Sequence, residues 1–211
     1  MAIYSFTDAK TQLKKRVGNR SDITDSEYGK YVNQAQQVMA TNIKGLETFD
    51  STTDLPLTIG QNIYTIGVGS QILIANLFAL TSIKQLTPTV QLMRRAEWRM
   101  LDMYTTFPSG PPILWARQRN LVVFQAKPTV ATTVQIRYRR NATVDTLEVP
   151  DEWFEHMLNL AATFVYPTIG RNKERDDLFK KLPSQLQLGA LNPLTPNQWE
   201  ALSDQDLGLY A

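Results

Sequence analysis

Val149-Pro150-Asp151-Glu152-Trp153-Phe154-Glu155-His156-Met157-Leu158-Asn159-Leu160-Ala161-Ala162-Thr163-Phe164-Val165 is the stretch on which the fold turns. Proline suits the first position of a helix, where its missing amide would be unpaired anyway, and Asp151 and Glu152 complement the positive end of the helix dipole. Phe154, Met157, Leu158, Ala161 and Val165 then recur at helical spacing, and Trp153, Leu160 and Phe164 widen the stripe. A helix apolar over so much of its circumference is buried on more than one side. Trp153, Phe154, Met157, Leu160 and Phe164 are therefore expected to meet a neighbouring subunit as well as the chain's own core. Tyr166-Pro167 should end or kink the helix.

Two helical patterns precede it. Residues 7–17 read as a short helix that Ser5 or Thr7 can cap and Gly18 can end, with Lys10, Lys14 and Lys15 on a solvated basic face. Residues 24–48 read as a longer one. Thr24 and Glu27 have capping-box spacing, and Tyr28, Tyr31, Val32, Ala35, Val38, Met39, Ile43 and Leu46 make one stripe, with Gln34, Gln36 and Gln37 mostly off it. Such a stripe needs a partner helix, and the stretch from Pro150 supplies it.

From Leu55 the period falls to two. Leu55, Leu57 and Ile59 alternate, Gly60-Gln61-Asn62 breaks the run, and Ile63 to Ile66 resume it: strand, turn, strand. Gly67-Val68-Gly69-Ser70 reads as a loop, residues 78–86 as a strand and residues 94–104 as a short helix with Ala96, Met100, Leu101 and Tyr104 inward. Phe107-Pro108-Ser109-Gly110-Pro111-Pro112 stops any helix. Residues 113–117, 121–125 and 133–139 then read as an antiparallel meander with one wet face, Val134, Ile136 and Tyr138 inside and Gln135, Arg137 and Arg139 outside.

After the Pro150 helix, residues 172–182 form a charged helix with Leu178, Phe179 and Leu182 on one side. Leu191-Asn192-Pro193-Leu194-Thr195-Pro196 cannot form regular structure. Leu194, Trp199, Leu202, Leu207, Leu209 and Tyr210 follow as apolar groups with little chain around them. They either pack back or bind a partner. The expected fold class is α+β. N- and C-terminal helices (residues 1–50 and 148–190) form a helical bundle, or platform, that carries an inserted antiparallel β lobe (residues 51–147). An extended C-terminal tail (residues 191–211) completes the chain.

Composition narrows the function. Of 211 residues 43% are apolar, enough for a real core, and 22 Lys and Arg against 20 Asp and Glu give a charge of +2. A free nucleic-acid-binding protein usually carries a stronger basic bias. Without cysteine there is no disulfide, thiolate or zinc–sulfur chemistry. No apolar run suggests a signal peptide or a membrane span, so manufacture in a cytoplasm is expected and Asn141-Ala142-Thr143 is a chance sequon.

Catalytic parts are missing. A serine triad would need the sole histidine, His156, which sits within the apolar helix. One histidine and no cysteine leave a metal only carboxylates. Asp176 and Asp177 point apart on a helix, and Asp204 and Asp206 lack an EF-hand pattern. Gly67-Val68-Gly69 is not followed by the rest of a phosphate loop. A hydrolase would have to use Glu152 and Glu155, of which Glu152 is already explained by the dipole. No catalytic residue, metal or cofactor is expected. Three basic clusters remain: Arg94, Arg95 and Arg99; Arg137, Arg139 and Arg140; and Arg171, Lys173 and Arg175. The first two are the candidates for inter-subunit pairing or the lining of a DNA channel. A strand face with Arg137 and Arg139 could alternatively make a nucleic-acid-binding module.

Leu57-Thr58-Ile59-Gly60-Gln61-Asn62-Ile63-Tyr64-Thr65-Ile66-Gly67, Tyr138-Arg139-Arg140-Asn141 and Leu147-Glu148-Val149-Pro150-Asp151-Glu152-Trp153 together resemble the head-to-tail adaptors of short-tailed bacteriophages. These are also called tail accessory factors, packaged-DNA-stabilisation proteins or tail tubular proteins. Their pattern is a helical hairpin, a "G-Q-x-x-Y" strand pair, a meander ending in a "Y-x-x-x" strand, and "L-P-x-x-aromatic" opening a helix; here Val149-Pro150 replaces Leu-Pro. The resemblance covers roughly residues 5–182. It implies a virion protein of the neck or tail, a homo-oligomeric ring of about twelve copies beneath the portal protein. Such a ring extends the DNA channel, helps retain the packaged genome until its transient passage, and anchors tail nozzle and fibre proteins. It implies no membrane partner, and it leaves room for the apolar tail to contact the portal.

Overall fold

Two reciprocal capping boxes start the chain. In the computed structural model, which describes residues 4–44, 46–67, 69–103, 106–196 and 198, helix α1 spans Phe6–Arg16 and α2 spans Asp25–Asn42. The Ser5 hydroxyl accepts the Asp8 amide while Asp8 accepts the Ser5 amide, and Thr24 and Glu27 do the same. Each pair thus satisfies two donors that a helix start leaves orphaned. Gly18, at φ +94°, turns the chain out of α1.

α2 stops at Asn42, short of the expected end. The Asn42 side-chain carboxamide donates to the Val38 carbonyl and Ile43 goes extended. Ile43, Leu46 and Phe49 are buried nonetheless, the last through a 3-10 turn at Glu47–Phe49. The apolar period therefore reads straight past the true helix end.

The chain divides into two compact units. One comprises residues up to Phe49 together with Asn141–Thr195, and the other Asp50–Arg140. In the first, α4 (Asp151–Val165) packs against α2, α1 and α5 (Asn172–Phe179), and α6 (Ser184–Leu191) lies along α2. Pro150 is the residue before the helix rather than its first; its carbonyl accepts the Trp153 amide at 2.9 Å. α4 contributes Phe154, Met157, Leu158, Leu160, Ala161, Ala162 and Val165, all nearly inaccessible, to one core with Val32, Ala35 and Met39 of α2. Tyr4 stacks on Phe154 at 4.0 Å. Gly170, in the left-handed region, ends the short 3-10 turn Tyr166–Ile169 that follows α4. α6 falls, but for its last residue, within the expected platform (residues 148–190), although no separate helix was read there. It starts after Pro183, and Gly189 lets it approach α2, since a Cβ there would lie 2.7 Å from Asn42 Cβ.

The second unit is a seven-stranded sheet: β1 (Asp50–Leu57), β2 (Ile63–Thr65), β3 (Leu77–Thr87), β4 (Gln91–Arg95), β5 (Leu114–Gln118), β6 (Leu121–Phe124) and β7 (Thr132–Arg140), with α3 (Trp98–Asp102) between β4 and β5. The order is β1-β7-β3-β4-β5-β6-β2. β1 and β2, consecutive in the chain, are thus its two edges. A flat seven-stranded sheet would be about 29 Å across, whereas residues 58–62 can span only about 20 Å. The sheet is therefore curled. Leu55, Leu57, Tyr64, Ile83, Met93, Trp115, Phe124, Val134 and Ile136 fill the inside of the curl. The Gly60-Gln61-x-x-Tyr64 pattern builds the connection between the edges. Gly60 sits at φ +81°, and the Tyr64 hydroxyl accepts the Thr58 amide at 2.8 Å and donates to the Gln61 carbonyl.

Three expectations change here. β6 and β7 are not a meander, because β7 pairs β1 and β3 instead. The sheet is not wholly antiparallel: β4 runs parallel to β5, the crossover passing through α3 and the proline-rich break. Residues 94–95 belong to β4 rather than to a helix. The Arg94 and Ala96 amides bond the Ile113 and Trp115 carbonyls, and the helix shrinks to Trp98–Asp102. There Leu101 is buried against Ala116 and Val123, while Met100 is exposed and Tyr104 lies outside the described residues.

Candidate interaction surfaces

Residues 141–149 lead from the end of β7 to α4, and α2 holds them with three side-chain amides. Asn33 donates to the Asp145 carboxylate and accepts its amide. Gln36 donates to the Thr146 carbonyl and accepts the Glu148 amide, at 3.0 and 2.9 Å. Gln37 donates to Asn141 and accepts the Ala142 amide. Gln36 is wholly buried, and burying an amide is tolerable only when both its ends are paired. Gln36 and Gln37, read as lying mostly off the apolar stripe, fasten the connector together with Asn33, which that reading did not name. The signal was the position of Gln36, four residues from Val32 and three from Met39.

The basic residues separate into accessible and inaccessible ones. Across β1, β7 and β3, Thr52 pairs Arg137 and Arg137 pairs Ser82; Asp54 pairs Gln135, Gln135 pairs Lys84, and Lys84 pairs Leu92 of β4. Residues in register share a face, and Arg94 lies two beyond Leu92. The outer face of β7, β3 and β4 therefore carries Arg137, Lys84 and Arg94, all exposed. Among the described residues no ion pair engages these three, and Asp54, bonded by Gln135, is the one acid in the two rows. Sequence reading put Arg94 and Arg137 in separate clusters and passed over Lys84, whose signal was a lone charge in an otherwise uncharged strand. Arg99 is exposed on α3. Arg95 is half-buried, its guanidinium 5.5 Å from the Trp115 ring.

Arg139 overturns the expected wet face. By alternation it belongs with Arg137, yet it is wholly buried, its guanidinium 3.0 Å from the Asp50 carboxylate across the β1–β7 ladder. Burial lowers its pKa and Asp50 opposes that shift. It is a structural cation, unavailable to a polyanion. Arg140 is half-buried. A strand-face module built on Arg137 with Arg139 loses its second member.

The residues expected to face a neighbouring subunit from α4 are similarly divided. Phe154, Met157 and Leu160 are 0–1% exposed and belong to the chain's own core; only Trp153 and Phe164 keep accessible surface. Phe164 opens onto a cleft of about 460 Å³. Tyr31 and Gln34 of α2, Thr163 of α4, Pro167, and Ala190 and Leu191 of α6 form its walls, with Arg175, Asp176 and Phe179 of α5 at one side. Arg175 and Asp176 pair with each other at 2.6 Å. Leu191 leaves 74% of its surface exposed in the cleft wall. Of the predicted tail, Leu194 is half-buried and its amide bonds the Asn42 carboxamide oxygen at 3.2 Å. Trp199, Leu202, Leu207, Leu209 and Tyr210 lie outside the described residues.

Glu155 pairs with Arg16 at 2.6 Å, and the same arginine bonds Asn159. His156 packs 5.5 Å from the Trp153 ring, and no hydrogen bond reaches its buried Nδ1. Among the described residues no group of three or more His, Cys, Asp or Glu could hold a metal, and no helix is long and apolar enough to cross a membrane.

A search of curated proteins gave no significant match. The family model described as "SU10 adaptor protein" matches residues 4–195. That match takes in both units and the segments whose pattern resembles phage head-to-tail adaptors, and the chain belongs to the SU10 adaptor protein family, a family of phage structural proteins.

Proposed function

We propose that the chain is a non-catalytic ring subunit that joins the portal to the tail, about twelve copies enclosing a passage for DNA. The observation that carries this reading is the outer sheet face. Lys84, Arg94 and Arg137 stand exposed there with no ion pair among the described residues. Surface cations are ordinarily solvated, but ring repetition multiplies each into a circle of like charges, so a chain of net charge +2 can still present a strong local field. Smooth passage of a genome calls for many weak phosphate contacts, which suits scattered cations better than a base-reading surface. The accessible edge of α4 at Trp153 and Phe164, and the apolar end of the chain, supply contacts to neighbouring molecules, while nozzle and fibre proteins attach at the far side of the ring. The packaged genome is held back by the closed assembly rather than by tight binding to one subunit.

The test is an electron-microscopy reconstruction of the protein mixed with portal, read beside light scattering of the protein alone. Closed rings seated on portal, with the Lys84–Arg94–Arg137 face toward the central passage, are expected. A strict monomer that ignores portal sinks the proposal. Measurable DNA binding by the isolated subunit, with a steep salt dependence, would instead favour a dedicated nucleic-acid-binding module.

A further inference from the structure

Three arginines share the inner face of the curled sheet at one end. Arg95 stands in register with Trp115 and two residues beyond Met93; Arg117 pairs Val122 and lies two beyond Trp115; Arg140 pairs Leu77 and lies two beyond Tyr138. Met93, Trp115 and Val122 belong to the inner core, and Leu77 and Tyr138 pack against it. Residues in register, or two apart along a strand, share a face, so all three arginines are on the inner one. β4 runs parallel to β5, and both β4 and β7 run antiparallel to β3. Arg95, Arg117 and Arg140 therefore lie near the C-terminal ends of three strands that run the same way, at one mouth of the curl. All three are half-buried. Within the seven strands the only acids are Asp50 and Asp54, and both fall on the outer face, opposite Arg139 and Gln135. The buried Trp115 indole N–H, whose ring is 5.5 Å from the Arg95 guanidinium, has no hydrogen-bond acceptor among the described residues. The mouth is rich in donors, and its own strands bring it no carboxylate.

We propose that in the unassembled chain this mouth receives the carboxylates of the chain's own C-terminal segment, residues 199–211. Glu200, Asp204 and Asp206 lie in that segment, and no Lys or Arg does. Reach selects the chain's own copy. The Leu194 amide is bonded to Asn42, the last residue of α2, and eight residues lead from Asn42 to Asp50, the first of β1. That length of chain spans at most about 28 Å. Asp50 in turn sits opposite Arg139, and Arg140 is next. Asp206, twelve residues beyond Leu194, reaches about 40 Å when the chain is extended. A tethered segment that can span the distance faces its site at an effective concentration of order millimolar, above what a separate molecule offers in dilute solution. On assembly, neighbouring molecules take the segment over. The clasp thus belongs to the lone chain, covers a basic mouth until then, and goes beyond the ring reading.

The sequence has no native cysteine, so disulfide trapping on the full-length chain gives a clean test. Asn120→Cys, exposed in the β5–β6 turn at the same mouth, is combined in one chain with Ser203→Cys or Gln205→Cys and oxidised mildly in dilute solution. A fast-migrating, internally linked monomer is expected, in a yield that does not depend on protein concentration. Glu200→Gln with Asp204→Asn and Asp206→Asn should lower that yield about tenfold, as the loss of three weak charge pairs together would. Gln91→Cys, exposed at the opposite end of β4, should give no link in place of Asn120→Cys. A yield unmoved by the acid changes, or a link to Gln91→Cys as ready as to Asn120→Cys, would overturn the proposal. So would single-cysteine chains that link between molecules as readily as the double variant links within one, and so would no link at all. None of these outcomes touches the ring reading, whose own failure is a monomer that ignores portal.

Discussion

Gln36 carries a cost that only matched geometry offsets. A carboxamide taken from water loses hydrogen bonds at both ends, and here both are restored by backbone groups of the connector. Gln36→Ala would orphan the Thr146 carbonyl and the Glu148 amide together and cost about 2–4 kcal/mol. A thermal melt followed by circular dichroism should show the midpoint falling by roughly 5–15 °C. Gln36→Glu would bury a carboxylate against the Thr146 carbonyl, so at neutral pH its midpoint should fall at least as far. The capping carboxylates make a separate residue-scale prediction. Hydrogen bonds from Ser5 hold Asp8 below its ordinary pKa, and bonds from Thr24 do the same for Glu27. A carboxylate with a depressed folded-state pKa stabilises the fold above its unfolded value. That contribution disappears as pH falls through the folded value, so stability should decline on acidification below about pH 4. In Ser5→Ala with Thr24→Ala the melting temperature should be lower at pH 7 and flatter against pH in that acid range. An unchanged pH slope would remove the capping boxes from the account.

At the scale of elements, the meeting of α6 with α2 is set by one hydrogen atom. Gly189→Ala adds a methyl 2.7 Å from Asn42 Cβ, closer than real side chains approach. Alanine improves helix propensity by about 1 kcal/mol, but overpacking a fixed contact costs about 1–3 kcal/mol. The variant should be destabilised in urea titrations, and Asn42→Gly in the same chain should recover part of the loss. Had the two effects simply added, the elements would not be in contact as described. What the sequence disclosed follows the same division between local and distant. The Thr24–Glu27 capping box was legible because it depends on residues three apart; at the first helix Ser5 was read as one of two possible caps, and its reciprocal bond with Asp8 was not. The strand at Leu77–Thr87 and the helix from Pro150 were legible because their apolar runs are long. The α+β class follows from those periods. The end of α2 was hidden because burial of Ile43, Leu46 and Phe49 continues past it. The β4–β5 parallel pairing and the β1–β7 ladder depend on partners tens of residues away. Arg139 was misread for a related reason: alternation assigns a face, and says nothing of what covers that face. Of the candidate surface, Arg94, Arg99 and Arg137 were found as cations, but only strand order joins Arg94 and Arg137 through Lys84.

At the scale of the whole molecule, surface charge can be separated from stability. Changing Lys84, Arg94 and Arg137 together to Gln should move the melting temperature little, since none of them has an ion pair among the described residues to lose. The same variant should reduce the slope of log affinity for duplex DNA against log salt, measured on the assembled protein at low ionic strength. An unaltered slope would mean that DNA passes another surface. The ladder that seats Asp50 opposite Arg139 has a different consequence. Residues so paired have Cα atoms about 5.5 Å apart, so the polypeptide leaves for its excursion through β1 to β7 and returns almost at the point of departure. A detour with coincident ends is modular. Excising residues 51–138 and bridging the gap with a two-residue Asn-Gly turn should leave a cooperatively melting helical remnant, and unrelated cargo could be spliced in at the same seam.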